Sequence, residues 1–133
     1  GMPSQAEQHL RQFLHRDARI ELIYLVDAQG IQVSENLFAA DLADQTRESA
    51  KGRNWAARPW FQKARDSGRC HITPVYRSAA TDAFCFTLSV PVLDERGQTR
   101  YVIGVDVRLS ALLDQTTDWR EALQVPLSRA GRA

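Results

Sequence analysis

The stretch Ala83–Val107, AFCFTLSVPV followed by LDERGQT and RYVIGVDV, decides the fold. Phe84, Phe86, Leu88 and Val90 alternate with Cys85, Thr87 and Ser89, the period of two that a strand with one strongly apolar face requires. Asp94-Glu95-Arg96-Gly97 is a turn cluster, with Gly97 free to take a positive φ. A second β-branched run follows, so the stretch predicts a long antiparallel hairpin. That run holds an anomaly, Asp106 between Val105 and Val107. A carboxylate in such a strand must be paired, hydrogen-bonded or exposed, because burying it bare is costly.

Working outward, Ser4-Gln5-Ala6-Glu7 reads as a capping box that opens a helix over residues 4–18, with Ala6, Leu10, Phe13 and Leu14 on its apolar stripe. Ile20–Val26 is a nearly continuous apolar run, which predicts a strand covered on both faces. Asp27–Gly30 forms the turn to a return strand over Ile31–Ser34. Between Asn36 and Asn54 the periodicity weakens; Leu37, Phe38, Leu42 and Ala43 suggest a short helix within a mobile stretch. Pro59 suits the first position of a helix that Ser67-Gly68 ends. Cys70–Tyr76 is the third strand, Arg77–Asp82 a connection, and the hairpin supplies strands four and five. Ser110 begins a short helix with Ala111, Leu112 and Leu113, Asp118 and Glu121 suit the cap of another, and 125–133 reads as a tail. The expectation is one α+β domain over 2–124: a five-stranded antiparallel sheet with the long first helix on one face and a helical and loop insertion over the other.

The 133 residues suffice for a single core, and the composition (44% hydrophobic, 25% charged) is that of an ordinary globular domain. A net charge of +1 offers no electrostatic case for nucleic acid or an anionic membrane. No apolar run approaches the roughly 18–20 residues of a membrane span, and Gly1-Met2-Pro3-Ser4 contains no signal-peptide core. If Met2 is the natural start, a cytoplasmic location is expected; the alternative is an extracytoplasmic sensor region taken from a membrane receptor. Cys70 and Cys85 fit no metal-ligand spacing. Pairing around Ala79-Ala80 sets Cys70 near Ser89 and Cys85 near Pro74, so two buried free thiols are expected. His9, His15 and His71 are dispersed, Ser78, Thr87 and Ser89 lie outside any nucleophile elbow, and no Gly-rich phosphate loop is present. Neither a metal, a cofactor nor an enzymatic activity is expected.

With these pieces in order, the chain resembles the extracytoplasmic PAS-like sensor family, the Cache or PDC domains of chemoreceptors, histidine kinases and cyclic-dinucleotide enzymes. The resemblance rests on Arg58–Ala64 (RPWFQKA), Pro74–Ser78 (PVYRS), Phe84–Val92 (FCFTLSVPV), Gly97, Val102–Val107 (VIGVDV), Leu109 and Leu112-Leu113, about half of the chain in the family's order. It implies a small-molecule pocket between sheet and insertion. In the amino-acid-binding branch an arginine just before the Trp-aromatic pair clamps a ligand carboxylate, a third-strand tyrosine assists, and the strand-five aspartate takes the ammonium. The matching positions are Arg58, Trp60, Tyr76 and Asp106, with Trp55 and Ser78 beside them. Two positions depart from that pattern: Arg53 stands where the branch has tyrosine, and Ser78 where it has aspartate. The carboxylate half of the site is kept and the ammonium half is reduced, so acetate, propionate or pyruvate stand beside amino acids as ligand classes.

Each site residue also has a plainer reading. Arg58 can cap or pair at the start of its helix, Trp60 and Phe61 can be core, and Trp55 can anchor a loop. Tyr76 can end its strand with the hydroxyl in water, and Asp106 can accept from backbone N–H groups or pair an arginine of the insertion. Two functions follow. The first is a non-enzymatic sensor of bacterial signal transduction that binds a small carboxylate-bearing ligand; the second is a ligand-free PAS-like module for dimerisation or protein interaction. A homodimer is a candidate partner in both.

Overall fold

A computed structural model of the chain describes residues 2–42, 49–78 and 83–110. Helix α1 (Met2–Arg16) leads into strand β1 (Ile20–Asp27), followed by β2 (Leu37–Phe38) and a 3-10 turn at Ala40–Leu42. Helix α2 (Pro59–Ser67), short strands β3 (His71–Ile72) and β4 (Tyr76–Arg77), and the long strands β5 (Phe84–Leu93) and β6 (Thr99–Arg108) complete the order. The sheet runs β2-β1-β6-β5-β3, with β4 also on β5, and its pairings are antiparallel. The chain turns helical at Leu109 and Ser110, where the expected short helix begins; the rest of that helix, the Asp118 and Glu121 cap, the 125–133 tail and most of the Arg77–Asp82 connection fall outside the described residues.

The hairpin forms as its alternation requires. Its turn closes with Asp94 N–H donating to the Gln98 carbonyl (2.7 Å), the Asp94 carboxylate accepting from Arg96 and Gln98, and Gly97 at φ 78°. Three expectations are corrected. Helix α1 begins at Met2 and stops at Arg16, so Ser4 lies inside its first turn rather than capping it. The strand beside β1 is Leu37–Phe38, read from sequence as helix, while Ile31–Ser34 makes only bridges at Ile31 and Gln32. The third strand is split in two, which makes six strands rather than five. Pro74 has no N–H for the ladder; Thr73 spans the gap, its N–H donating to the Thr87 carbonyl (3.0 Å) and its Oγ1 accepting from Thr87 N–H (2.9 Å).

Side chains alternate across the sheet, so each face has its own core. Toward α1 point Ile23 and Leu25 of β1 and Val105 of β6, packed with Leu10 and Leu14. Toward α2 point Leu22, Tyr24, Val26 and Val102, packed with Phe61 and Ala64. Strand β1 is therefore covered on both sides, as its unbroken apolar run predicts. Strand β5 reverses the simple reading of its alternation. Cys85, Thr87 and Ser89 are buried on the α2 side, whereas Phe86, Leu88 and Val90 are only half-buried beside α1, and Phe13 and Phe84 are exposed. Both thiols are free, and Cys70 adjoins the His71–Ser89 pair as expected; Cys85 is buried opposite Tyr76 rather than near Pro74, and Cys70 is exposed rather than buried.

Candidate ligand-binding site

On the α2 side the sheet and the insertion enclose a cavity of about 530 Å³, within the 300–1,000 Å³ range of small-ligand pockets. A larger concavity, about 650 Å³, lies on the opposite face between α1 and the hairpin tip. Chemistry, not size, separates the two. Only the first gathers Arg58, Trp60, Tyr76, Asp106, Trp55 and Ser78, so all six residues singled out in the sequence line one cavity.

Asp106 forms the floor. It sits on β6, flanked by Leu22 of β1 and Thr87 of β5. Thr87 Oγ1 donates to Asp106 Oδ1 at 2.9 Å, and the Tyr76 hydroxyl lies beside both, against Thr87 Oγ1 and 3.4 Å from the same Oδ1. The second oxygen, Oδ2, has no hydrogen-bond partner among the described residues. Burial pushes the Asp106 carboxyl up to about 6; the Thr87 and Tyr76 hydroxyls pull it down, and the nearby Glu21 charge adds to the rise. The same burial, with the Asp106 charge second, raises Tyr24 and Tyr76 above the ordinary tyrosine range, and burial takes the Cys85 thiol to about 11.

Two backbone irregularities aim these groups. Between Ile72↔Leu88 and Tyr76↔Cys85 the register slips by one residue, which turns Tyr76 to the Cys85 and Thr87 face. In β1 the register shifts between Ile20 and Leu22, and the extra residue is Glu21. Its side chain is buried and neither carboxylate oxygen has a hydrogen-bond partner among the described residues. Cross-strand Gly104 makes room for another wall: a Cβ there would lie 2.4 Å from Tyr24 Cζ.

The insertion forms the opposite wall. Tyr24, Trp55 and Trp60 pack mutually with ring centroids 5.6–6.2 Å apart, an aromatic arrangement that is rigid and excludes water. Trp55 Nε1 donates to Oε1 of the fully buried Gln32 (3.0 Å), and Gln32 Nε2 donates to the Ser34 carbonyl and to Asn36 Oδ1, both at 2.9 Å. Trp55 is thus at once a loop anchor and a cavity wall. Phe61 is core, with no exposed surface. Arg58 occupies the N-cap position of α2 but its side chain makes no capping bond; its guanidinium lies 5.8 Å from the Trp55 ring centroid, at the cavity mouth. The plainer reading of Arg58 as a helix cap does not hold.

Sequence reasoning missed Tyr24, Thr87, Gln32 and Asn36 and treated Arg53 only as a departure; of these, Tyr24, Thr87, Asn36 and Arg53 line the cavity. Counting back from the Asp94–Gly97 turn sets Thr87 opposite Val105, and only the register shift between Val92 and Leu93 brings it opposite Asp106. Gln32 joins Ser34 and Asn36 of its own segment to Trp55 of the insertion, a long-range contact that the sequence does not mark.

Comparison with known proteins bears on the fold and the family. The family model described as methyl-accepting chemotaxis protein-like, first PDC sensor domain, matches residues 7–114. The ligand-binding domain of the Campylobacter jejuni chemoreceptor Tlp3, solved in complex with L-valine, superposes with a TM-score of 0.53 at 20% identity, over 70% of this chain and 36% of that one. The ligand-binding domain of the Pseudomonas fluorescens chemoreceptor CtaA, in complex with L-serine, gives 0.50 at 24% identity, over 78% and 43%. A curated relative, a citrate (Re)-synthase of Syntrophus aciditrophicus, is 29% identical over 127 residues, and the chain spans only 20% of its length. The chain belongs to the methyl-accepting chemotaxis protein-like family of first PDC sensor domains.

Proposed function

We propose that this domain is a non-enzymatic sensor that binds a free amino acid in the cavity between sheet and insertion. The observation that carries this reading is Asp106, a buried carboxylate on the cavity floor held by hydroxyls through one oxygen, with the other oxygen unpartnered among the described residues. Such a group calls for a cation, and an ammonium brings one with its own N–H donors. Arg58 at the mouth suits the α-carboxylate, and Trp55, Trp60 and Tyr24 shape the slot between. The relatives solved with valine and serine make amino acids the first class to test. The same family membership favours a place outside the cytoplasm, as the sensing part of a larger receptor; among the described residues no helix is long and apolar enough to cross a membrane.

The proton on Asp106 separates an amino acid from a plain carboxylate. An ammonium binds only the ionised form, so amino-acid affinity should rise with pH and level off above about 6, being about tenfold weaker at pH 5. Acetate or propionate, which repels that charge, should follow the opposite trend. Titration calorimetry at pH 5.0, 6.0 and 7.5 measures both. Binding should be lost in Arg58→Ala and Asp106→Asn, and full binding by either variant would overturn the site assignment.

The ligand-free interaction module remains the second reading, because Phe13 and Phe84 are half-exposed on the α1 side. A concentration-dependent dimer in sedimentation together with a flat amino-acid screen would favour it.

A further inference from the structure

Arg53 borders the same cavity as Arg58, five residues earlier in the chain. Its backbone is pinned on both sides: its N–H donates to the Ala50 carbonyl (3.1 Å), and its carbonyl accepts from Gln32 N–H (2.8 Å). Gln32 is itself buried and bonded to Trp55 and Asn36, so Arg53 is mounted on the rigid part of the insertion rather than on a free loop. Its guanidinium makes no ion pair or hydrogen bond among the described residues, and neither does that of Arg58. Asp106 is the one carboxylate among the described lining residues, and it lies at the floor. The cavity therefore presents one anionic group below and two guanidiniums on the insertion wall; the third lining arginine, Arg77 of β4, is held over the Phe84 ring, its guanidinium 5.1 Å from the centroid. A neutral amino acid matches one guanidinium and Asp106 and leaves the second arginine idle. A ligand with one ammonium and two carboxylates matches all three.

We propose that Arg53 is a specificity residue that receives a second carboxylate, so that the site selects amino-dicarboxylic acids of aspartate or glutamate size over their neutral amides. This rests on the amino-acid reading of the cavity and narrows it.

The test is calorimetry at pH 7.5 with L-aspartate, L-glutamate, L-asparagine, L-glutamine and L-valine, on the wild type and on Arg53→Gln, whose melting temperature is checked first. In the wild type each acid should bind about tenfold tighter than its amide, the margin of one charge-assisted bidentate contact. Arg53→Gln should bring the acid down to within about twofold of the amide, and the wild-type preference should shrink as salt is raised. If a neutral amino acid binds and the acids bind no tighter, the inference falls while the amino-acid reading stands. A preference that survives Arg53→Gln overturns the role of Arg53. Failure of all five ligands to bind folded wild-type protein overturns both.

Discussion

Asp106 sits on the central strand with only hydroxyl donors around it, and its carboxyl holds its proton to about pH 6. The sign of the resulting pH dependence follows from linkage. The folded state binds this proton more tightly than the unfolded chain, whose aspartates titrate near 4, so the contribution of Asp106 to stability is greatest below pH 4. It falls as pH rises toward 6 and is constant above. At about 1.4 kcal/mol per pH unit over the two units between these values, the ionised floor costs the ligand-free fold about 3 kcal/mol at neutral pH. Asp106→Asn should therefore be more stable than the wild type in urea denaturation at pH 7, with the advantage shrinking toward zero at pH 4; an advantage equal at both pH values would show that the carboxyl titrates normally. The group that weakens the empty fold is the one proposed to meet the ligand ammonium. The neighbouring Glu21, buried on its bulge without a hydrogen-bond partner among the described residues, pushes in the same direction.

At the scale of elements, the insertion is held to β1 by backbone contacts that tolerate no side chain. Gly30 has φ 92°, and a Cβ there would sit 2.6 Å from Ala56 Cα, while its carbonyl accepts from Trp55 N–H at 2.7 Å. Gly30→Ala should destabilise the fold by about 2 kcal/mol or more. It should also weaken amino-acid binding, although residue 30 does not line the cavity, because the Trp55 wall moves with it. A thermal melt and a titration on this variant check both, and an unchanged affinity would show that the wall is positioned independently of the turn. The helices were legible element by element: Pro59 begins α2 and Gly68, at φ 67°, ends it. The short edge strands were not. Leu37–Phe38 pairs with β1 although its own neighbourhood reads as helical, since a two-residue strand takes its conformation from the partner already laid down.

For the whole molecule, the two faces of the sheet differ in what they can report. The α2 face holds the cavity, the aromatic wall and Asp106, whereas the α1 face is an apolar contact that leaves Phe13 and Phe84 half-exposed. A ligand that bridges the insertion and the floor should raise amide-exchange protection in 49–58 and in β6 more than in α1, and at a hundred times its dissociation constant should stabilise the domain by about 2.7 kcal/mol. Exchange measured with and without the bound amino acid checks this; protection confined to α1 would put the ligand on the other face. The sequence by itself determined the hairpin, both helices and the coverage of β1 on both faces, because period, caps and turn chemistry are local, and its contiguous motifs picked out six residues that line one cavity. Only the tertiary structure decided which face of β5 is buried, that Pro74 splits the third strand and turns Tyr76 inward, and that Tyr24, Thr87 and Arg53 line the cavity. Those outcomes depend on register and on contacts between segments far apart in the chain, and no local pattern encodes a one-residue slip that exchanges one face of a strand for the other.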